Sequence, residues 1–352
     1  MPSTRGLSFG AFRTLGGSVK WADIETAQGV YNFKRLDTWI ADSQASGQDI
    51  MFTAYATPHW ASSAPNDKSC VNVQNGTGTC DAPFDWNTGD STWINFLTAL
   101  INHVGPGTIK YYEFWNEINI ASECNMTTAQ LLQMDADLYT TVHALDPKAL
   151  VTSPSISGLG HSAPQNVLLP YLQAGGSSYA DVVAVHGYGG WPPEQISTGI
   201  TSLKSVLATA GMSTLPILIS EGSWGENNPI PKDEDVAFVG RYYLLMLSAG
   251  IQKFYWYGWD FPKVDLISYG KLTDAGVAVQ QIMDWTIGQP VPVCTTSGTI
   301  YTCVIGKTQA MWVTAGSASV ATSLGHYSSL DGSTTKIVGG KVQLGSEPML
   351  LY

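Results

Sequence analysis

Short apolar runs rich in β-branched and aromatic residues alternate with amphipathic stretches down to about residue 286, and this alternation limits the fold more than any other feature. Asp49–Tyr55, Leu150–Ser155, Asp181–Tyr188, Pro216–Glu221 and Gln252–Tyr257 read as buried strands, and Lys110–Ile120 as a strand running straight into an exposed polar turn. Leu7–Leu15 reads as another, delivering Arg13 near its end. Helices are expected over Leu36–Ala45, over Thr92–Val104 behind an Asp90-Ser91 cap, and from the capping box Thr127-x-x-Gln130 to the stop at Asp146-Pro147. Further helices follow over Val167–Ala174, Ile196–Ala210, Asp233–Ala249 and Asp274–Thr286, with Gly211 and Gly250 closing two of them. Strand and helix in regular turn imply parallel strands joined by crossover helices. Polar, aromatic and acidic residues gather at the C-terminal strand ends while the opposite turns are short, which is the asymmetry of a (β/α)8 TIM barrel. A doubly wound sheet is the competing fold, but no Gly-rich phosphate loop follows a strand. Seven strands are found this way, and Ser3–Phe9 is the place to look for an eighth.

After Gly288 the pattern changes, with Pro290 and Pro292 marking a boundary. Residues 1–288 are therefore expected to form the α/β barrel, and 289–352 a small antiparallel β domain packed on it. Tyr301–Ile305, Ala310–Thr314, Ser323–Tyr327, Thr335–Val338 and Met349–Tyr352 read as its strands. So small a core needs help, which Cys294 and Cys303 can give as a staple.

Only 13% of the 352 residues are charged, with a net charge of -11. That argues against a nucleic-acid partner, whose phosphates require a basic surface. The 12 Trp and 16 Tyr suit the faces of sugars. No apolar run approaches membrane-spanning length, so no membrane partner is expected. Met1-Pro2 is not followed by a signal-peptide pattern, so an exported protein would have its signal absent from this sequence. Export is still expected, because Cys70/Cys80 and Cys294/Cys303 bracket hairpin-like segments suited to an oxidising compartment. Cys124 is left over and could capture Cys70 or Cys80; spacing does not fix the pairing. No tighter cysteine and histidine cluster suggests zinc. Asn75-Gly-Thr and Asn125-Met-Thr are sequons, meaningful in a eukaryotic source.

The chemistry centres on K-Y-Y-E-F-W-N-E-I-N-I, Lys110–Ile120. A period of two places Glu113, Trp115 and Glu117 on one face, with Glu117 at the strand end as the candidate acid. Pro216–Glu221 runs out at a second carboxylate. Counting an unseen first strand, these are the fourth and seventh strands, whose side chains converge across a barrel mouth. Two carboxylates across a sugar-sized cleft are what glycoside hydrolysis needs, one protonating the leaving oxygen and one attacking the anomeric carbon. A nearby ionised Glu221 and partial desolvation would favour a protonated Glu117. Glu113 reads as a buried partner for Arg or Tyr. The two carboxylates supply proton transfer and nucleophile alike, so no metal or cofactor is called for.

W-N-E-I-N at Trp115–Asn119 resembles the acid/base motif of clan A glycoside hydrolases, and S-E-G-S-W at Ser220–Trp224 resembles their nucleophile strand. Three further runs are similar to the second and third strands of glycoside hydrolase family 39: F-R-T-L-G-G-S-V-K-W-A-D-I-E, G-V-Y-N-F-K-R-L-D and T-P-H-W-A-S. H-G-Y-G at His186–Gly189 resembles that family's sixth strand. The similarity covers about residues 9 to 260; Ile118 stands where the family has Pro, and the first strand is short. The resemblance implies that Glu117 is the acid/base and Glu221 the nucleophile of a retaining double displacement. It further implies that Asn116 bonds the sugar hydroxyl beside the anomeric carbon and that Arg13 lies near Glu221. His186 and Tyr188 would line the glycone pocket, Tyr188 bonding the nucleophile, with His59, Trp60, Trp256 and Trp259 binding or stacking on sugar. The expected protein is a secreted retaining β-glycosidase acting on a polysaccharide or oligosaccharide. A transglycosylase would use the same residues, whereas an inactive carbohydrate-binding barrel would be expected to have lost one of the two glutamates.

Overall fold

Four parallel strands stand side by side in the order β1 (Ala11–Arg13), β2 (Asp49–Ala54), β3 (Tyr111–Phe114) and β4 (Leu150–Thr152). Their register aligns Arg13 with Met51, Thr53 with Glu113, and Glu113 with Thr152. The computed structural model describes residues 9–15, 17–70, 78–226, 230–231 and 233–352. The chain gathers into two units, one of Phe9–Gly187 and Ser202–Ser220, the other of Tyr188–Thr201 and Glu221–Tyr352.

In the first unit, helices α1 (Lys34–Ala45), α2 (Ser91–Val104) and α3 (Thr128–Leu145) connect these strands. A short helix α4 (Leu169–Gln173) leads to β5 (Val183–His186), which continues the sheet through a parallel bridge from Thr152 to Val182. The helix α5 (Gln195–Thr209) leads to β6 (Ile217–Gly222), and the Val183 amide bonds the Pro216 carbonyl at the root of that strand. Every residue of β3 and β5 is buried. That is the signature of parallel strands covered on both faces, and it is why these runs read as apolar rather than alternating. Helix α2 buries Trp93, Phe96, Leu97, Leu100 and Ile101, one stripe at helical spacing. Trp21 stacks on Phe96 at 5.3 Å and leans on Trp93 at 5.0 Å. Truncating such a buried aromatic ring costs about 3–5 kcal/mol.

Two local expectations need correction. The Thr127/Gln130 capping box forms as read, but Asp90 does not cap α2. Asp90 sits at φ 45, in the left-handed region, and makes no cap bond. Asp85 takes that role, accepting from the Thr92 amide at 3.0 Å and from the hydroxyls of Ser91 (2.8 Å) and Thr92 (2.6 Å). The second correction concerns β3, which stops at Phe114. Trp115 (φ 55) and Glu117 (φ 42) are both left-handed, so the two-residue alternation from Glu113 does not reach Glu117. Such conformations cost about 1–3 kcal/mol each for residues with side chains, and they turn the chain sharply where the sheet ends.

In the second unit, β7 (Lys253–Trp256) is followed by Tyr257, whose amide bonds the Gly222 carbonyl at the end of β6. Helices α6 (Asp235–Ser248) and α7 (Asp274–Thr286) follow the expected positions. Seven strands of the expected barrel set are thus present among the described residues. Ser3–Ser8, where an eighth was sought, and the Asn75 sequon lie outside those residues.

After residue 289 come β8 (Val293–Ser297), β9 (Ile300–Ile305), β10 (Thr308–Val313), β11 (Ala318–Ala321), β12 (His326–Ser328), β13 (Thr334–Lys336), β14 (Lys341–Leu344) and β15 (Met349–Leu351). They make a six-stranded sheet, β8-β9-β10-β15-β12-β13, and a two-stranded one, β11-β14. Met311, Val313, Val342, Leu344 and Leu351 form their shared core. Cys294 and Cys303 face each other across β8 and β9 and are bonded, as are Cys70 and Cys80. Cys124 remains a buried thiol, which burial pushes up to about 12. Helix α6 receives this sheet region closely: a Cβ on Gly240 would lie 2.5 Å from Leu330 Cδ1. No helix of the described residues is long and apolar enough to cross a membrane.

Candidate active site

The first unit gathers Arg13, Asn116, Glu117 and His186 at the ends of β1, β3 and β5. Arg13 donates from Nε to Glu113 at 2.7 Å, and from a terminal nitrogen to the Asn116 side-chain oxygen at 2.9 Å. Glu113 is fully buried and also accepts from Thr53 at 2.7 Å. It is therefore the arginine partner that its inward position implied. Within the first unit Arg13 thus engages Glu113 and Asn116 and faces His186.

Glu117 is half-buried, and its Oε1 lies 2.7 Å from Nδ1 of the buried His186. The other ring nitrogen of His186 faces an Arg13 nitrogen at 3.5 Å. A guanidinium can only donate, so the facing nitrogen accepts and the imidazole proton sits on Nδ1, donating to Glu117. Burial pushes the Glu117 carboxyl up. The hydrogen bonds from His186 and the Ser157 side chain and the charge of Arg13 outweigh it and hold the group below the ordinary range. The expectation of a protonated Glu117 is corrected on that point: desolvation acts as anticipated, but two hydrogen bonds and the Arg13 charge oppose it.

Several supporting residues carry no signal in sequence. Glu123 accepts from the Asn116 amide nitrogen at 3.3 Å, and its carbonyl takes the Trp115 indole at 2.9 Å. Ser155 accepts from the Glu117 amide at 3.3 Å. Asn119, the last residue of the W-N-E-I-N motif, ties its side chain to both backbone groups of Ser157. These contacts hold the left-handed turn that β3 runs into.

In the second unit, Glu221 is buried near the end of β6 and accepts from the Tyr188 hydroxyl. The Gly189 amide bonds the Ser223 carbonyl, which keeps the two segments together. Tyr257 packs edge-on against Tyr188 at 5.8 Å and donates to Glu226 at 3.0 Å. Trp256 and Trp224 meet at 5.3 Å, and their indole nitrogens donate to the carbonyls of Val264 and Lys263 respectively. With its N–H engaged, Trp256 has only its ring to offer a ligand. Trp259 is half-buried, and its carbonyl accepts from the amides of Leu266 and Ile267.

The other two candidates lie in separate settings within the first unit. His59 is exposed and bonds the Pro65 carbonyl at 2.8 Å through Nδ1. Trp60 donates to the Glu25 carbonyl at 3.0 Å and lines a cleft beside α2.

A model of the glycosyl hydrolase catalytic core matches residues 31–279. Among solved structures, the chain is similar to a family 39 glycoside hydrolase from the gut symbiont Bacteroides cellulosilyticus WH2, with 17% identity and a TM-score of 0.75 over 97% of this chain and 75% of that one. It is similar to a family 39 enzyme from Xanthomonas axonopodis pv. citri, with 15% identity and a TM-score of 0.67 over 99% and 88% of the two chains. A monomeric β-xylosidase from Caulobacter crescentus CB15 shares 13% identity and a TM-score of 0.62, over 92% and 84%. At these identities the likeness to solved structures is one of fold. No curated protein matches by sequence. The resemblance drawn from the W-N-E-I-N and S-E-G-S-W motifs is borne out by the family match and by these neighbours.

Proposed function

Because the chain belongs to the family of the glycosyl hydrolase catalytic core, we propose that it is a retaining β-glycosidase acting on a polysaccharide or oligosaccharide. One observation carries the reading. A stretch of three residues supplies a partner to each strand-end carboxylate: His186 to Glu117, and Tyr188 to Glu221. Retaining chemistry requires its carboxylates ~5 Å apart. In this reading residues 1–288 close into a (β/α)8 barrel, residues 289–352 form the C-terminal β-rich domain, and the two disulfides fit export.

Glu117 gives its proton to the glycosidic oxygen while Glu221 attacks the anomeric carbon, releasing the aglycone and leaving a glycosyl ester on Glu221. Glu117, now a carboxylate, takes a proton from water as that water attacks the anomeric carbon and frees Glu221. Asn116, its oxygen held by Arg13 and its nitrogen shared with Glu123, presents an amide to the neighbouring sugar hydroxyl. Trp256 and Trp259 offer rings to the sugar.

A digestion screen tests this reading, using xylans, arabinans, galactans, β-glucans and aryl β-glycosides with Glu221→Gln as the blank. Release of one product class by the native chain and not by the variant is expected. Hydrolysis by Glu221→Gln at the native rate would overturn it.

A further inference from the structure

A concavity lies in the first unit, between the hairpin of strands Glu25–Ala27 and Val30–Tyr31 and helix α2. Its volume is about 310 Å³, at the lower end of the ~300–1,000 Å³ typical of small-molecule sites. It shares no residue with the cluster of Arg13, Glu113, Asn116, Glu117 and His186; Trp60 alone of the predicted set lines it. We infer that this cleft is a second carbohydrate site, taking one neutral sugar residue of a glycan chain away from the catalytic carboxylates.

The lining decides the class of ligand. No lysine or arginine borders the cleft, so an anion finds no counter-charge. The acidic group is Glu25, whose carboxylate is already engaged by the Trp21 indole at 2.7 Å and the Gly29 amide at 2.8 Å. A cation would have to compete with both. What remains is two aromatic rings, Tyr31 and Trp60, beside the neutral polar side chains of Gln28, Asn95 and Thr98. Aromatic rings suit the C–H faces of a sugar, while amides and hydroxyls both donate to and accept from its hydroxyl groups.

Both rings are held before any ligand arrives. Trp60 is fixed by its bond to the Glu25 carbonyl, and Tyr31 stacks on Phe33 at 5.7 Å with ring planes 13° apart. Ordering them on binding therefore costs little. Gln28 and Asn95, by contrast, are exposed and make no side-chain hydrogen bond to any described residue. Two fixed rings with uncommitted amides beside them form a site prepared for a ligand, rather than a gap in packing.

The inference shares with the proposed function only its class of ligand, and it does not need hydrolysis. It is tested by affinity electrophoresis of Glu221→Gln, which removes turnover, in native gels containing xylan, arabinan, galactan or β-glucan. Ala99→Arg, on the cleft wall of α2, fills the space with a residue that helices tolerate well. At least one gel should retard Glu221→Gln, and adding Ala99→Arg should reduce that retardation at least threefold with an unchanged melting temperature. Asn95→Ala should reduce it less, in the same gel. In the otherwise native chain, Ala99→Arg should leave kcat/KM on a small aryl β-glycoside unchanged. Retardation in none of the gels, or retardation indifferent to Ala99→Arg, overturns the inference. A chain inert on every glycoside but retarded in an Ala99-dependent way would sink the catalytic reading and leave this site standing.

Discussion

His186 Nδ1 lies 2.7 Å from Glu117 Oε1, and this contact makes the state of the acid a matter of balance rather than of burial alone. In the proposed reaction Glu117 must be protonated at the start, and the protonated fraction is lost as pH rises through its pKa. His186 holds that pKa down, so the alkaline limb of kcat/KM should lie on the acid side in the native chain. His186→Ala removes the hydrogen bond while leaving desolvation in place. The limb should then move to higher pH, even though the maximum rate falls. A pH profile of kcat/KM on an aryl glycoside reads this directly; an unmoved limb would mean that His186 only packs.

The two carboxylates are told apart by azide. If Glu221 is the nucleophile as proposed, an activated aryl glycoside should still form the ester on it in Glu117→Ala, since a good leaving group needs no proton. Azide then attacks from the side where water would, giving the β-glycosyl azide with net retention. In Glu221→Ala azide replaces the missing nucleophile and gives the α-glycosyl azide by a single inversion. NMR of the two products distinguishes these outcomes. The same anomer from both variants would refute the assignment of roles.

Asp90 is the first stability prediction. It is fully buried, its carboxyl oxygens carry no hydrogen-bond partner in the structure, and burial with the nearby Asp137 and Asp85 pushes it up to about 8. In the unfolded chain it ionises near pH ~4. Between those values the folded state holds a proton that the unfolded state has released, so stability falls as pH rises through that window. Asn is neutral and tolerates the left-handed conformation at this position. Asp90→Asn should therefore melt close to the native protein at pH 4 and clearly above it at pH 8. A melting difference that does not grow with pH would show that Asp90 does not titrate in this way.

How far the sequence reveals these features depends on whether the cause is local. The capping box at Thr127 is local and legible; the hairpin disulfides are local too, although spacing alone leaves Cys124 as a rival for Cys70 or Cys80. Glu113 could be read as an arginine partner because a charge inside a buried strand has few other options. The left-handed turns at Trp115 and Glu117 could not, since the contacts that stabilise them come from Glu123, Ser155 and Ser157 on other segments. The same holds for Asp85, which outcompetes a nearer and better-placed cap because Asp90 is turned inward. In the β-rich region Val293–Ser297, Ala318–Ala321 and Lys341–Leu344 escaped the sequence reading. They are short and built largely from Ser, Thr, Ala or alternating polar residues, and cross-strand pairing rather than propensity makes them strands.

The last prediction concerns Arg241 on α6, which is fully buried and bonds Glu194 through Nε at 2.7 Å and through a second nitrogen. Trp312 of β10 donates to the same carboxylate at 2.9 Å, and the guanidinium lies 4.6 Å from the Trp191 ring centre. One ion pair thus joins α6 to the segment that follows Tyr188 and to the C-terminal sheet. Removing one partner leaves a buried charge uncompensated, which typically costs about 3–5 kcal/mol; replacing both by apolar groups of similar size is often near neutral. Arg241→Met and Glu194→Leu should each lower the melting temperature sharply, and the double variant should recover much of the loss. Trp312→Phe keeps the ring and removes one donor, so about 1 kcal/mol is expected from it. Chemical denaturation of the four proteins gives the coupling. If the two single losses simply add in the double variant, the pair contributes nothing specific, and the stability of this junction rests on apolar packing alone.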